Sequence, residues 1–132
     1  MILVDTSVWI DFFKQSDTVR MEMQNLLREQ KIITVEPVFS ELLFGVRNNR
    51  EKQLIASYWQ VLPRIEFGEN FMIESAMFAN AKDYQNLGIG LIDAILIKST
   101  IEGNHQLWTL DSRINRNLDM KFTYQSREPD VE

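Results

Sequence analysis

The sequence predicts an α/β fold: a single domain with a central parallel sheet and helices on both faces. Three observations carry this. Short apolar runs alternate with segments of helical periodicity along the whole chain, the pattern of strands joined by crossover helices. Two of those runs, 2–5 and 106–110, are the most apolar, as strands buried on both faces are. The 132 residues, 45% hydrophobic and 25% charged, suffice for one ordinary globular core.

The elements follow in order. Ile2, Leu3 and Val4 form a first strand that ends in Asp5. Thr6 and Ser7 are helix-capping types, and Val8 to Phe13 follows as a short helix. Asp17 and Thr18 offer a second cap, after which Val19, Met23, Leu26 and Leu27 recur at helical spacing towards Gln30. Ile32 to Val35 reads as the second strand. Pro37 suits the first turn of a helix, and Val38 to Val46 is apolar almost all round. Asn48 and Asn49 interrupt before a helix over 50–61. Leu62 to Phe67 alternates Arg64 and Glu66 with Ile65 and Phe67, and with Pro63 it fits a third, edge strand.

Glu69 or Asn70 opens a long helix to Leu87, stopped by Gly88. Gly90 precedes a helix from Leu91 to Glu102, ended by Gly103 and Asn104. Gln106 to Leu110 is a fourth strand, Ser112 to Leu118 a short helix, and Lys121 to Tyr124 a fifth, alternating strand. Residues 1–125 make the domain and 126–132 a polar tail. With the apolar strands central and the alternating ones outside, the sheet order is 3-2-1-4-5. Its switch point falls between strands one and four, where open α/β sheets bind ligands at their carboxyl ends.

Composition narrows the chemistry. Cysteine is absent and His105 is the only histidine, which excludes thiolate sites, cysteine nucleophiles and histidine-rich metal sites. His105 stands at the entry of strand four, six residues before Asp111, so it is a poor candidate base at the other end of that strand. The net charge of −5 argues against nucleic-acid binding unless several carboxylates surround a metal. No apolar run approaches the roughly 18 residues of a membrane span. The N-terminus has no basic segment ahead of an apolar run, so a cytoplasmic protein is expected.

Four acids stand out. Asp5 and Asp111 follow strands one and four, while Glu41 and Asp93 sit in apolar helices expected to be buried. No lysine or arginine lies within four residues of Asp93 or within five of Glu41. Buried carboxylates need a partner, and four acids near one switch point suit a hard divalent cation. Other roles compete at each position. Asp5 and Asp111 are also good helix caps, Asp93 also suits a first helical turn, and Glu41 also suits a solvent-facing position. Asp11, Asp17 and Asp83 read as structural or solvated.

The stretch from Ile2 through Asp5, Ser7 and Trp9 to Asp11 resembles the opening motif of PIN-domain ribonucleases. Ser40-Glu41-Leu42 and Gly88 to Leu96, with Asp93, resemble the second and third acidic motifs, and Leu107 to Asp111 the fourth. The resemblance spans residues 2–118 and is nearest in style to VapC-type toxins of toxin–antitoxin pairs. It implies a metal-dependent endoribonuclease in which Asp5, Glu41, Asp93 and Asp111 hold one or two Mg²⁺ or Mn²⁺ ions and a metal-activated water attacks the RNA. Ser7 and Thr109 match hydroxyl positions behind those ligands. A VapB-type antitoxin and a homodimer are the implied partners. One departure is plain: a further acid often follows the fourth motif, where this chain has Ser112, Arg113 and Ile114.

Arg47, Arg50, Arg113 and Arg116 are candidate phosphate contacts, and equally plausible solvated charges. Trp9 suits the core better than a base-stacking role. The competing reading of the whole chain is a PIN-like module that binds RNA or protein without cutting.

Overall fold

In a computed structural model, residues 1–126 are described, so all of the expected polar tail except Ser126 lies outside the described residues. The element order is β1 (Ile2–Val4), α1 (Thr6–Phe13), α2 (Asp17–Arg28), β2 (Ile32–Ile33), α3 (Glu36–Phe44), α4 (Asn49–Val61), α5 (Phe71–Ala81), α6 (Leu91–Glu102), β3 (Gln106–Trp108) and α7 (Ser112–Asn117), then a 3-10 turn over Met120–Phe122. The sheet has the order β2-β1-β3 and is parallel throughout. Ile2 pairs with Ile32 and Gln106, Leu3 with Ile33 and Leu107, and Val4 with Trp108.

All three residues of β1 are buried. Successive strand residues point to opposite faces, so the sheet is covered on both sides. α1 packs against α2 and α3, and α3 against α4. α5 packs against α6, which lies along β3. Trp9 is fully buried among Phe12, Phe13, Phe39 and Tyr58, so it is a core residue.

The five-strand order 3-2-1-4-5 does not form; among the described residues the sheet has three strands. The segments expected as strands three and five reduce to single parallel bridges, Thr34 with Arg64 and Leu107 with Thr123. Each has a local cause. Pro63 brings no N–H; it only accepts from Thr34 N–H (3.0 Å), and Ile65 N–H returns one bond to Thr34 O (2.9 Å). Near the C-terminus, the Asp119 side chain accepts from Lys121 N–H (3.0 Å) and holds the chain in a 3-10 turn. That local bond wins over an extended ladder, and Tyr124 N–H alone reaches Leu107 O (2.9 Å).

The long helix expected from 69 or 70 to Leu87 is also shorter. α5 ends at Ala81, because Asp83 takes a left-handed conformation (φ 58°) and Tyr84 N–H closes the end on Ala79 O (3.0 Å). No helix among the described residues is long and apolar enough to cross a membrane.

Candidate active site and metal centre

The carboxyl ends of β1 and β3 lie side by side, and Asp5 and Thr109 leave them directly. Asp5 N–H donates to Trp108 O (2.9 Å), which ties the two strand ends together. Asp5 is buried and caps α1: its Oδ1 accepts from Thr6 N–H (2.7 Å). Its Oδ2 accepts from Ser7 Oγ (3.0 Å) and Thr109 Oγ1 (2.6 Å). A carboxylate offers about four acceptor positions. Three are used here, which leaves Oδ1 one lone pair for a further ligand.

Ser7 and Thr109 each act twice. Ser7 Oγ accepts from Leu110 N–H (3.1 Å), and Thr109 Oγ1 accepts from Asp111 N–H (3.1 Å). Both hydroxyls therefore clip the loop after β1 to the loop after β3. Asp111 caps α7, its Oδ1 accepting from Arg113 N–H (2.8 Å). The capping roles of Asp5 and Asp111 are real, and they aim both carboxylates at the same end of the sheet.

Asp93 sits in the first turn of α6, half-buried. Burial foremost, then the like charges of Asp5 and Asp111 and more weakly that of Glu41, push its carboxyl up to about 6, against a backbone N–H of Gly90 that favours the ionised form. Asp93 thus feels all three of the other acids. Asp111 goes the other way. Burial raises it, but the Arg113 side chain and backbone donors outweigh that and hold it below the usual carboxylate range.

Glu41 corrects an expectation. It is exposed, not buried: α3 turns Val38, Phe39 and Leu42 inward and leaves Glu41 and Phe44 outside. Thr6 Oγ1 donates to Glu41 Oε1 (3.0 Å) and holds it beside the start of α1. Thr6 was legible only as a capping type; its bond to a glutamate 35 residues away has no local sequence signal.

The basic candidates divide. Arg47, Arg50 and Arg116 are exposed, the first two around the start of α4 and the last in α7. Arg113 pairs with Asp111, Nη2 lying 3.3 Å from Oδ2. Among the described residues, no lysine or arginine forms an ion pair with Asp5, Glu41 or Asp93. His105 stands away from the acids: the residue after it, Gln106, bonds Met1 O, and burial foremost, with the N-terminal ammonium, lowers its pKa.

The residues fit a hard divalent cation in donor type and charge: four carboxylates, three of them without a basic partner among the described residues, and one with its proton affinity raised by burial and by the other three. The fit is one of donor type and charge alone, since among the described residues no group of three His, Asp or Glu side chains is placed to hold a cation.

A family profile described as PIN domain matches residues 2–117. Ribonuclease VapC32 of Mycobacterium tuberculosis, in two strains, is 31% identical over 117 residues, covering 86% of this chain and 87% of the relative. A toxin–antitoxin complex from Klebsiella pneumoniae is similar in fold at TM-score 0.66 and 16% identity, covering 94% of this chain and 100% of that one. VapBC2 from Rickettsia felis, bound to a DNA fragment from its promoter, is similar at TM-score 0.66 and 22% identity, covering 89% and 96%. The chain belongs to the PIN-domain family, on its VapC-type ribonuclease branch.

Proposed function

We propose that this chain is a divalent-metal-dependent endoribonuclease, the toxin of a VapBC-type pair, with Asp5, Glu41, Asp93 and Asp111 as its metal-holding residues. The observation that carries the reading is Asp93: burial foremost, and then the charges of three other acids, raise its pKa to about 6, and among the described residues no lysine or arginine pairs with it. A bound Mg²⁺ or Mn²⁺ supplies a water of lowered pKa and offsets charge on the scissile phosphate.

The chain's own residues do the rest. Thr6 N–H, Ser7 and Thr109 fix both oxygens of Asp5, so it meets its ligand in one orientation. Thr6 Oγ1 restrains Glu41, which would otherwise sample solvent. Asp93 loses its negative charge as pH falls through about 6, and cation uptake weakens with it. Arg47, Arg50 and Arg116 are exposed cations for the RNA backbone, and contacts of that kind weaken with salt. A VapB-type antitoxin is the protein partner. Met72, Ile73 and Met77, exposed on α5, give a homodimer its apolar face.

The test is RNA cleavage with and without chelator. Cleavage requires Mg²⁺ or Mn²⁺, and Asp5→Asn and Asp93→Asn each abolish it while remaining folded by circular dichroism. Equal cleavage by the wild type and both variants overturns the assignment, and an intact fold with RNA bound but uncut by the wild type identifies a binding module instead.

A further inference from the structure

Arg113 stands two residues after Asp111 and turns back on it. Nε lies 3.4 Å from Asp111 Oδ1 and Nη2 lies 3.3 Å from Oδ2, a side-on fork at long range. The arginine side chain is 53% exposed and that of Asp111 24%. Exposed pairs of this kind hold weakly and exchange readily. The other side of the guanidinium rests on Gly88. A Cβ there would lie 2.8 Å from Nη1 and 3.4 Å from Cδ of Arg113, and Gly88 has φ +77°, a conformation that side chains resist. Gly88 begins the loop that delivers Asp93 on α6. The guanidinium therefore bridges the elements that carry Asp111 and Asp93, against a left-handed backbone position that favours glycine.

We propose that Arg113 is a displaceable internal counter-ion: seated on Gly88, it occupies the Asp111 carboxylate in the metal-free protein, and a divalent cation entering the site takes that carboxylate from it. This rests on the reading of Asp111 as a metal-holding residue. Arg113 thus lowers cation affinity, because each uptake breaks the pair. It also spares Asp111 from adding its full charge to the repulsion around Asp93 while the site has no cation. The pair forms within one short segment, so it needs no second molecule.

The experiment is Mn²⁺ titration of the folded full-length chain, by calorimetry and by electron paramagnetic resonance of free Mn²⁺, at fixed ionic strength. Arg113→Met binds Mn²⁺ roughly two- to fivefold more tightly than wild type, the range expected for freeing one partner of an exposed pair. Arg113→Lys, which keeps the charge without the fork, falls between them. Lys52→Met, the same charge change at an exposed position of α4, leaves Mn²⁺ affinity at the wild-type value.

Unchanged affinity in Arg113→Met, with Mn²⁺ still bound by wild type, overturns the counter-ion and leaves the metal site standing. An equal gain in Lys52→Met also overturns it, by assigning the effect to net charge. Absence of Mn²⁺ uptake by wild type overturns the counter-ion together with the metal-holding reading beneath it. A lower melting temperature of metal-free Arg113→Met with no gain in affinity assigns Arg113 to bracing α7, and overturns the proposal too.

Discussion

Thr109 Oγ1 donates a 2.6 Å hydrogen bond to Asp5 Oδ2, joining residues 104 positions apart. The same hydroxyl accepts from Asp111 N–H (3.1 Å), so one side chain fixes the end of β1 and the turn that carries a second acid. Thr109 is buried, and water cannot replace it. Thr109→Val keeps the shape and removes both bonds. The expected cost is about 1.5–3 kcal/mol, the usual range for a hydrogen bond to a charged group, read as a lower midpoint in urea at pH 7. Thr109→Ser retains the hydroxyl and loses one methyl, for about 1 kcal/mol. A Val variant as stable as the wild type would mean that Asp5 does not depend on this clip.

Thr6 supports the site from the other side. Its hydroxyl donates to Glu41 Oε1 across 35 residues, and Glu41 is otherwise an exposed side chain on α3. Thr6→Val therefore loosens Glu41 without emptying the core. Global stability stays within about 0.5 kcal/mol, as for most surface changes. RNA cleavage falls by about tenfold in kcat, corresponding to about 1.4 kcal/mol, and Thr6→Ser restores it. If Val and Ser variants lose activity equally, the hydroxyl is not what matters.

How far the sequence revealed this arrangement depends on the residue. The positions of Asp5, Asp93 and Asp111 are legible because strand ends and helix starts can be read locally, and each stands at one. Glu41 was misjudged: its neighbours Val38, Phe39, Leu42 and Phe44 are all apolar, yet helical geometry turns only the first three inward and leaves Phe44 94% exposed. The outer strands do not form because local features, the missing N–H of Pro63 and the Asp119 turn bond, outweigh the alternation of their side chains. The early end of α5 had no signal in Lys82 and Asp83, which are compatible with a helix until Asp83 turns left-handed. The bonds of Thr6 to Glu41 and of Thr109 to Asp5 span the fold, so only coordinates supply them.

Cation uptake should follow the ionisation of Asp93. A cation competes with the proton on a carboxyl whose pKa is about 6. Mn²⁺ affinity of the wild type is therefore expected to fall as pH drops through 6 towards 5, steeply compared with a site of ordinary carboxylates, which holds its charge down to about pH 4. Added Mg²⁺ should raise the wild-type melting temperature at pH 7.5 and much less at pH 5. Equal metal-induced shifts at both pH values would show that Asp93 does not control uptake.

Asp93 also makes a prediction without metal. Its carboxyl is raised from an ordinary 3.8 to about 6 in the folded protein, by burial and by the charges of Asp5, Asp111 and Glu41. A raised carboxylate favours the folded state when protonated. Its contribution is fully present below the unfolded value and is lost as pH rises from about 4 through about 6. Asp93→Asn removes that titration and keeps a side chain of similar size. In chelator, the Asn variant should match the wild type near pH 4 and exceed it in melting temperature above pH 6, with the gap opening between those values. Saturating Mg²⁺ should reverse the order at pH 7.5, because only the wild type keeps the full acid set for the cation. An Asn variant that melts below the wild type at pH 7.5 in chelator would mean that the ionised Asp93 has a stabilising partner, and the repulsive cluster would have to be abandoned.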